Sequence, residues 1–145
     1  MSTARSEVRL QTWLIDIAPD ECADLLATAE LGRLGVIVHG RPEIFPVNHV
    51  YDRHSGCVVF PTKHRTKLQA ALDWPWVAFE VDGLDPGGSG GWSVLVVGQA
   101  EAVLDPDDVA RAAGERRVLW VSGPGIHWVR IVPSKVTGRR ISAAP

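Results

Sequence analysis

The sequence predicts a mainly β protein with short helices, built as an antiparallel barrel or sandwich. Three observations carry this: six or seven apolar runs with strand patterning, turn signals at hairpin spacing between them, and helical spacing confined to short stretches. The alternating strand–helix order that a parallel sheet needs is missing. The chain has 145 residues, 46% of them hydrophobic. That is enough for one substantial core and too little for two, so residues 1–145 read as a single domain with 1–18 as an N-terminal arm.

In that arm Leu10, Trp13, Leu14 and Ile15 offer apolar side chains to dock on the body. Pro19 opens the first helix. Asp20 and Glu21 place acids in its first turn, Cys22, Leu25, Leu26 and Ala29 share one apolar face, and Gly32 is the expected stop. From Arg33 the period becomes two, with Leu34, Val36 and Val38 against Gly35 and Ile37, until Gly40-Arg41-Pro42 breaks the run as a hairpin turn. A second strand, 43–51, sets Ile44, Pro46, Asn48 and Val50 on one side and Phe45, Val47, His49 and Tyr51 on the other. After a turn at 52–56, the apolar run 57–60 ends at Pro61 and gives way to Leu68, Ala71 and Leu72 at helical spacing.

Trp74-Pro75 ends that second helix, and 76–81 alternates again, with Trp76, Ala78 and Glu80 opposite Val77, Phe79 and Val81. The glycine-rich stretch 87–91 lacks the lysine and spacing of a P-loop and reads as a mobile hairpin loop. The strand after it, 91–104, is the longest, with Trp92, Val94, Val96, Gly98, Ala100 and Ala102 on one face. Gly98 marks a bulge or a close approach by another backbone. Asp105-Pro106-Asp107-Asp108 is a strong helix start, for a helix over 106–116 facing inward with Val109 and Ala113. Leu119, Trp120 and Val121 precede a Gly123-Pro124-Gly125 break, and a final strand pair spans 127–132 and 135–141.

Composition narrows the function. A net charge of -2 excludes a strongly basic nucleic-acid binder. No apolar run approaches the roughly 20 residues of a membrane span, and residues 1–10 carry charges without a signal-peptide core, so the expected location is the cytoplasm with no membrane partner. Cys22 and Cys57, with no C-x-x-C, are expected as core thiols. His39, His54 and His127 read as turn or surface residues and His49 as an interface residue. No histidine pair has ligand spacing, so no metal is expected. With no G-x-S-x-G, no H-E-x-x-H and no catalytic cysteine setting, no catalytic residue is assigned.

The chemistry concentrates between the third strand and the second helix. Thr62, Lys63, His64, Arg65, Thr66 and Lys67 gather three fixed cations, two hydroxyls and an imidazole where a helix begins. Free backbone N–H groups and the positive end of the helix dipole favour an anion there, and a phosphate fits. The plain alternative is a solvated basic loop, the default for exposed Lys and Arg.

Six motifs in order then carry a resemblance over about residues 20–142. They are Gly32-Arg33-Leu34-Gly35-Val36, the run from Pro42 to Asn48, the run from Phe60 to Lys67, the run from Val77 to Asp82, Gly91-Trp92-Ser93-Val94 with Gly98-Gln99-Ala100, and Arg130-Ile131-Val132-Pro133 with Gly138-Arg139-Arg140. Together they resemble the pyridoxamine 5'-phosphate oxidase-like proteins, the FMN-binding split barrels, and especially their short bacterial members. This resemblance implies a six-stranded antiparallel Greek-key split β-barrel that forms a homodimer, with two FMN or deazaflavin sites at the interface.

By position, the resemblance places Thr62, Thr66 and Lys67 in the phosphate-binding segment, with Phe60 and Pro61 leading into it and Lys63 and Arg65 as helpers. It sets the backbone of Pro46, Val47 and Asn48 beside the isoalloxazine ring, Ser93 at a polar contact with the flavin, and Trp92 over the ring from the partner subunit. The implied function is a flavin-binding oxidoreductase passing a hydride or electrons to a small molecule. A deazaflavin would also suit Lys63, Arg65 and Lys67 through its acidic tail. A reading from another class is a non-catalytic barrel that holds flavin, haem or another anionic ligand for storage, sensing or sequestration. Two departures stand out: His64-Arg65 occupies a position where many short relatives have glycine, and the C-terminal pyridoxal-phosphate-binding residues of the true oxidase have no counterpart, which argues against that reaction.

Overall fold

The structure is a computed structural model that describes residues 13–63, 65–115, 121 and 123–142, with the side chains of Trp13 and Lys67 outside the description. In chain order the elements are β1 (Trp13–Asp16), α1 (Pro19–Thr28), β2 (Gly32–Val38), β3 (Arg41–Val47), β4 (Val50–Asp52), β5 (Cys57–Thr62), α2 (Arg65–Asp73), β6 (Trp76–Leu84), β7 (Gly90–Ala102), α3 (Pro106–Gly114) and β8 (His127–Ser142). The eight strands among the described residues pair antiparallel, seven of them in the order β3-β2-β6-β7-β8-β5-β4, and β1 pairs with the C-terminal part of β8.

Chain connectivity bends this sheet into a split barrel. Its two rim strands, β3 and β4, are separated only by Asn48 and His49. Three residue steps span at most about 11 Å, so the far ends of a seven-strand path must meet. One apolar core follows, with Leu34, Val36, Val47, Val58, Phe60, Phe79, Val96, Val129 and Ile131 drawn from the whole sheet and Leu26 and Ala71 from the two helices that plug it. A second cluster, Cys57, Val59 and Trp128 under Ala112 of α3, covers the outer side of β5 and β8. Buried on both faces, β5 is therefore a continuous apolar run. Both cysteines are free and buried, as expected.

The alternation expected at 76–81 is observed, with Val77, Phe79 and Val81 buried. Asp105 caps α3 by accepting a hydrogen bond from the Asp107 N–H at 2.9 Å. The turn before β7 uses Gly87 and Gly88 at positive φ, while Gly90 and Gly91 already belong to the strand.

Several expectations need correction. Among the described residues the strand count is eight, not six, because β1 adds to β8 and the strand expected over 43–51 is two. That strand breaks where Asn48 and His49 turn inward to serve α1: Asn48 Nδ2 donates to the Glu30 carbonyl and the His49 ring bonds the Leu26 carbonyl, both at 2.9 Å. Helix ends leave carbonyls without intrahelical partners, and His49 satisfies one of them. Since a carbonyl only accepts, Nε2 of His49 carries the proton. Gly32 does not stop α1; the helix ends at Thr28, the extended backbone of Ala29 turns the chain, and Gly32 starts β2. The β2–β3 turn is His39-Gly40, both at positive φ, with Arg41 and Pro42 already in the rim strand, where proline is tolerated. The last helix ends at Gly114, and Arg116, Leu119 and Trp120 lie outside the described residues.

The expected final strand pair is one strand, β8. Its register against β7 runs Val97↔Lys135 and then Gly98↔Pro133, so Ser134 bulges out and lets a long strand bend without ending. Gly98 faces this bulge, and a Cβ there would collide with the Val132 carbonyl. Gly98→Ala should therefore cost about 1–3 kcal/mol in urea unfolding with an unchanged m-value. Gly35→Ala, whose new methyl would meet its nearest neighbour at 3.6 Å, is the matched control and should be close to neutral. Equal stability of the two variants would contradict the bulge as a packing constraint.

Candidate functional site

The segment that sequence reasoning singled out leaves the sheet at the end of β5. Phe60, Pro61 and Thr62 are buried there, Thr62 at 2% exposure and in register with His127 of β8. Lys63 is exposed and reaches toward Gly123, where a Cβ would sit 3.4 Å from its Nζ. His64 and the side chain of Lys67 lie outside the described residues. Helix α2 begins at Arg65 with no acid in its first turn, so no side-chain carboxylate in that turn competes for its free N–H groups.

Arg65 and Thr66 are exposed and open onto a cleft of about 620 Å³. One wall is α2 from Arg65 to its end at Asp73 and Trp74; the other is Ile37, Val38 and His39 at the end of β2, with His127 closing one side. The expected anion segment thus divides. Arg65 and Thr66 reach the cleft, whereas the Phe60, Pro61 and Thr62 side chains form the buried support behind it. His39, His127, Gln69 and Trp74 also line the cleft, and sequence reasoning missed them as site residues. The Thr62–His127 register that brings β8 to this point is a pairing across more than sixty positions, which no local pattern prints.

Pro46 is exposed on the rim strand, Val47 is in the core, and the Asn48 amide is committed to the Glu30 carbonyl. What this segment can offer a ligand is main chain. The β4–β5 ladder pairs Val50 with Val59, and the bend at Asn48 and His49 directly precedes it in the chain.

Trp92 and Ser93 are elsewhere. They line a second pocket of about 560 Å³ with Asp82, Leu84, Arg139 and Leu14. The indole lies over Gly83, where a Cβ would come within 2.7 Å of ring atoms, so the glycine makes its seat. Trp92 and Ala102 are ten residues apart on β7, about 33 Å along the strand, and Ala102 pairs with Val129 near the first cleft. The chain accordingly carries two recesses toward opposite ends of β7 and does not bring them together.

Between them, on the outer face of the sheet, Arg33 Nη1 bridges Glu80 at 3.3 Å and Asp82 at 3.0 Å. Burial pushes the Glu80 carboxyl up from its ordinary pKa, and the hydrogen bond and charge of Asp82 push it further; Arg33 offsets this only in part. Among the described residues no helix is long and apolar enough to cross a membrane, and no group of three or more His, Cys, Asp or Glu side chains is placed to hold a metal ion.

Comparison with known proteins places this geometry in context. The sequence model of the pyridoxamine 5'-phosphate oxidase family matches residues 18–140. An uncharacterized protein of Mycobacterium tuberculosis is 37% identical over 137 residues, which is 90% of this chain and 87% of that protein. The solved FAD binding protein from Mycobacterium smegmatis is 36% identical with a TM-score of 0.73, over 88% of this chain and 98% of that one. A FAD-binding protein from Mesorhizobium loti superposes with a TM-score of 0.79 over 91% of this chain and 99% of that one; at 23% identity this shows the shared split-barrel fold.

The Arg33 bridge sets a pH dependence. Removing the guanidinium leaves two adjacent carboxylates, which raises the folded pKa of Glu80 further above its unfolded value near 4.5. A raised carboxyl pKa favours folding below the unfolded value and loses that contribution as pH rises through the folded one. Arg33→Ala should therefore cost more stability at pH 7 than at pH 4 in parallel urea titrations, and an equal cost at both values would refute the bridge.

Proposed function

The chain belongs to the pyridoxamine 5'-phosphate oxidase family, and from that premise we propose that it is a flavin-binding oxidoreductase, working as a homodimer with a cofactor site shared between two copies. The observation that carries this is the pair of recesses toward opposite ends of β7. The cleft at α2 has cationic and hydroxyl donors for a phosphate, and the pocket at Trp92 and Ser93 has an indole and polar groups for a ring. Each is half a site, and a second copy brings the complementary half.

The residues present fit a flavin phosphate. Arg65 and Thr66 stand at the acid-free start of α2, where free N–H groups and the helix dipole favour a dianion, and Ile37 and Val38 give an apolar wall. The main chain of 46–48 would border the ring, and Trp92 of the second copy would cover it and exclude water. A bound flavin supplies the hydride or electron transfer, so the protein needs to bind, orient and shield and does not need a nucleophile of its own. FMN and a deazaflavin both satisfy this donor set, and the electron acceptor is a small molecule.

The outer face of the sheet supports the second copy. Ile44 and Trp76 are 71% and 54% exposed on a shallow apolar recess of about 430 Å³ that also includes Pro42, Ala78 and Val97. An apolar patch of this kind is characteristic of an interface. The test is a flavin titration of the purified protein followed by isothermal calorimetry. Arg65→Ala should weaken flavin binding by about 1.5–3 kcal/mol, the loss of a charge-assisted hydrogen bond. An unchanged dissociation constant would take Arg65 out of the site, and a monomer by light scattering at micromolar concentration would dismantle the shared site.

A further inference from the structure

We propose that the recess at Ser93 holds the small-molecule substrate, and that this substrate is a monocarboxylate on a flat or extended apolar body, with Arg139 as the residue that grips its head. The inference rests on the dimeric flavin reading above, in which this recess faces the ring bound by the other copy, and it names what lies against that ring.

Register builds the recess from two rows of residues on the outer face of the sheet. Residues directly opposite one another in a ladder share a face. Asp82 pairs with Ser93, Ser93 with Arg139 and Arg139 with Asp16, which makes one polar row across β6, β7, β8 and β1. Two residues along each strand, Leu84 pairs with Gly91, Gly91 with Ile141 and Ile141 with Leu14, which makes an apolar row. The rows lie about 7 Å apart. All of these residues except Asp16 line the pocket of about 560 Å³.

The polar row holds one uncommitted charge. Asp82 is bound by Arg33 at 3.0 Å. Arg140, next in the chain, turns to the opposite face and holds Glu21 at 2.7 Å and Asp85 at 3.0 Å. Arg139 forms no ion pair among the described residues, not even with Asp16 across the β1–β8 ladder. Its guanidinium beside the Ser93 hydroxyl offers a planar set of donors that matches a carboxylate. Asp82 and Asp16 flank it and repel a second negative charge, which favours a monoanion over a phosphate dianion.

The apolar row makes room for the body. Gly91 carries no side chain, and a Cβ there would come within 2.8 Å of the Gly83 carbonyl oxygen, so the gap is built into the sheet. It lies between Leu84 and Ile141, two strand spacings or about 9.5 Å apart, with Leu14 beyond. Leu84 is 83% exposed and Leu14 61%, so this apolar surface stands open to water. A body laid over Gly91 with its carboxylate at Arg139 covers it, and the volume suits a small molecule.

The test is isothermal calorimetry of the full-length chain saturated with FMN and titrated with octanoate, 1-octanol, octylamine and octyl phosphate. Wild type is compared with Arg139→Gln, Arg139→Lys and Leu84→Ser, with circular dichroism confirming each fold and light scattering the dimer. Octanoate should bind about 10-fold or more tighter than 1-octanol or octylamine, and tighter than octyl phosphate. Arg139→Gln should weaken octanoate about 10- to 150-fold, to the level of the alcohol, as the loss of a charge-assisted hydrogen bond. Arg139→Lys should keep part of the preference, and Leu84→Ser should weaken octanoate and 1-octanol by the same factor. No octanoate binding, octanoate binding that ignores Arg139→Gln, tighter binding of octyl phosphate, or binding only as the dimer falls apart overturns the carboxylate site while the flavin reading stands. Failure of FMN to bind the wild type overturns the flavin reading and the substrate assignment with it.

Discussion

The structure depends on two side chains that turn inward at one bend. Asn48 and His49 interrupt what would otherwise be a single long strand, and their bonds to the Glu30 and Leu26 carbonyls fix the end of α1 beneath it. The bend lets β3 pair with β2 at one rim of the sheet while β4 pairs with β5 at the other. Because only two residues separate the rims, the sheet has to curl, and the curl encloses one core. His49 is fully buried and meets the Phe79 ring edge-on at 4.8 Å, so the same residue joins helix, bend and barrel interior. Unlike a stray interfacial histidine, it holds its proton on Nε2 to serve a helix end.

The placement of the candidate site follows from that closure. Once β5 lies against β8, Thr62 stands beside His127, and the chain must leave the barrel at that point into α2. The helix then packs against the end of β2, which forms the cleft. Buried residues hold the exit of β5 rigidly, and the exposed donors follow immediately after it. A flexible basic loop would lack that support. The second recess arises independently, from the indole seated on Gly83 at the far end of the longest strands, and the proposed dimer is what would join the two.

Much of this was legible in the sequence. Period-two alternation located β2 and β6, the proline and acids marked the starts of α1 and α3, and Gly98 announced the bulge that keeps β8 continuous past Pro133. The order of weak motifs identified the family although each motif alone says little. What stayed hidden was non-local. The pattern at 43–51 keeps its two-residue alternation through Asn48 and His49, one polar residue on each face, and that these two break the strand depends on carbonyls more than fifteen residues earlier, which periodicity does not print. His127 and Trp74 looked like a strand start and a helix stop; only register and the approach of β2 make them walls of a cleft. The arm was the reverse case, since its apolar residues were noticed but β1 is recognisable only through its pairing with β8.

The central claim is that a flavin is held between two copies, with the start of α2 from one and the Trp92 pocket from the other. Mixing two deficient variants tests it directly. Arg65→Ala and Trp92→Ala should each bind flavin weakly as homodimers, and unfolding and refolding them together should restore a fraction of tight sites, because a mixed dimer contains one intact pair of halves. A calorimetric titration of the mixture that shows no tight component, with light scattering confirming dimers, would contradict the shared site.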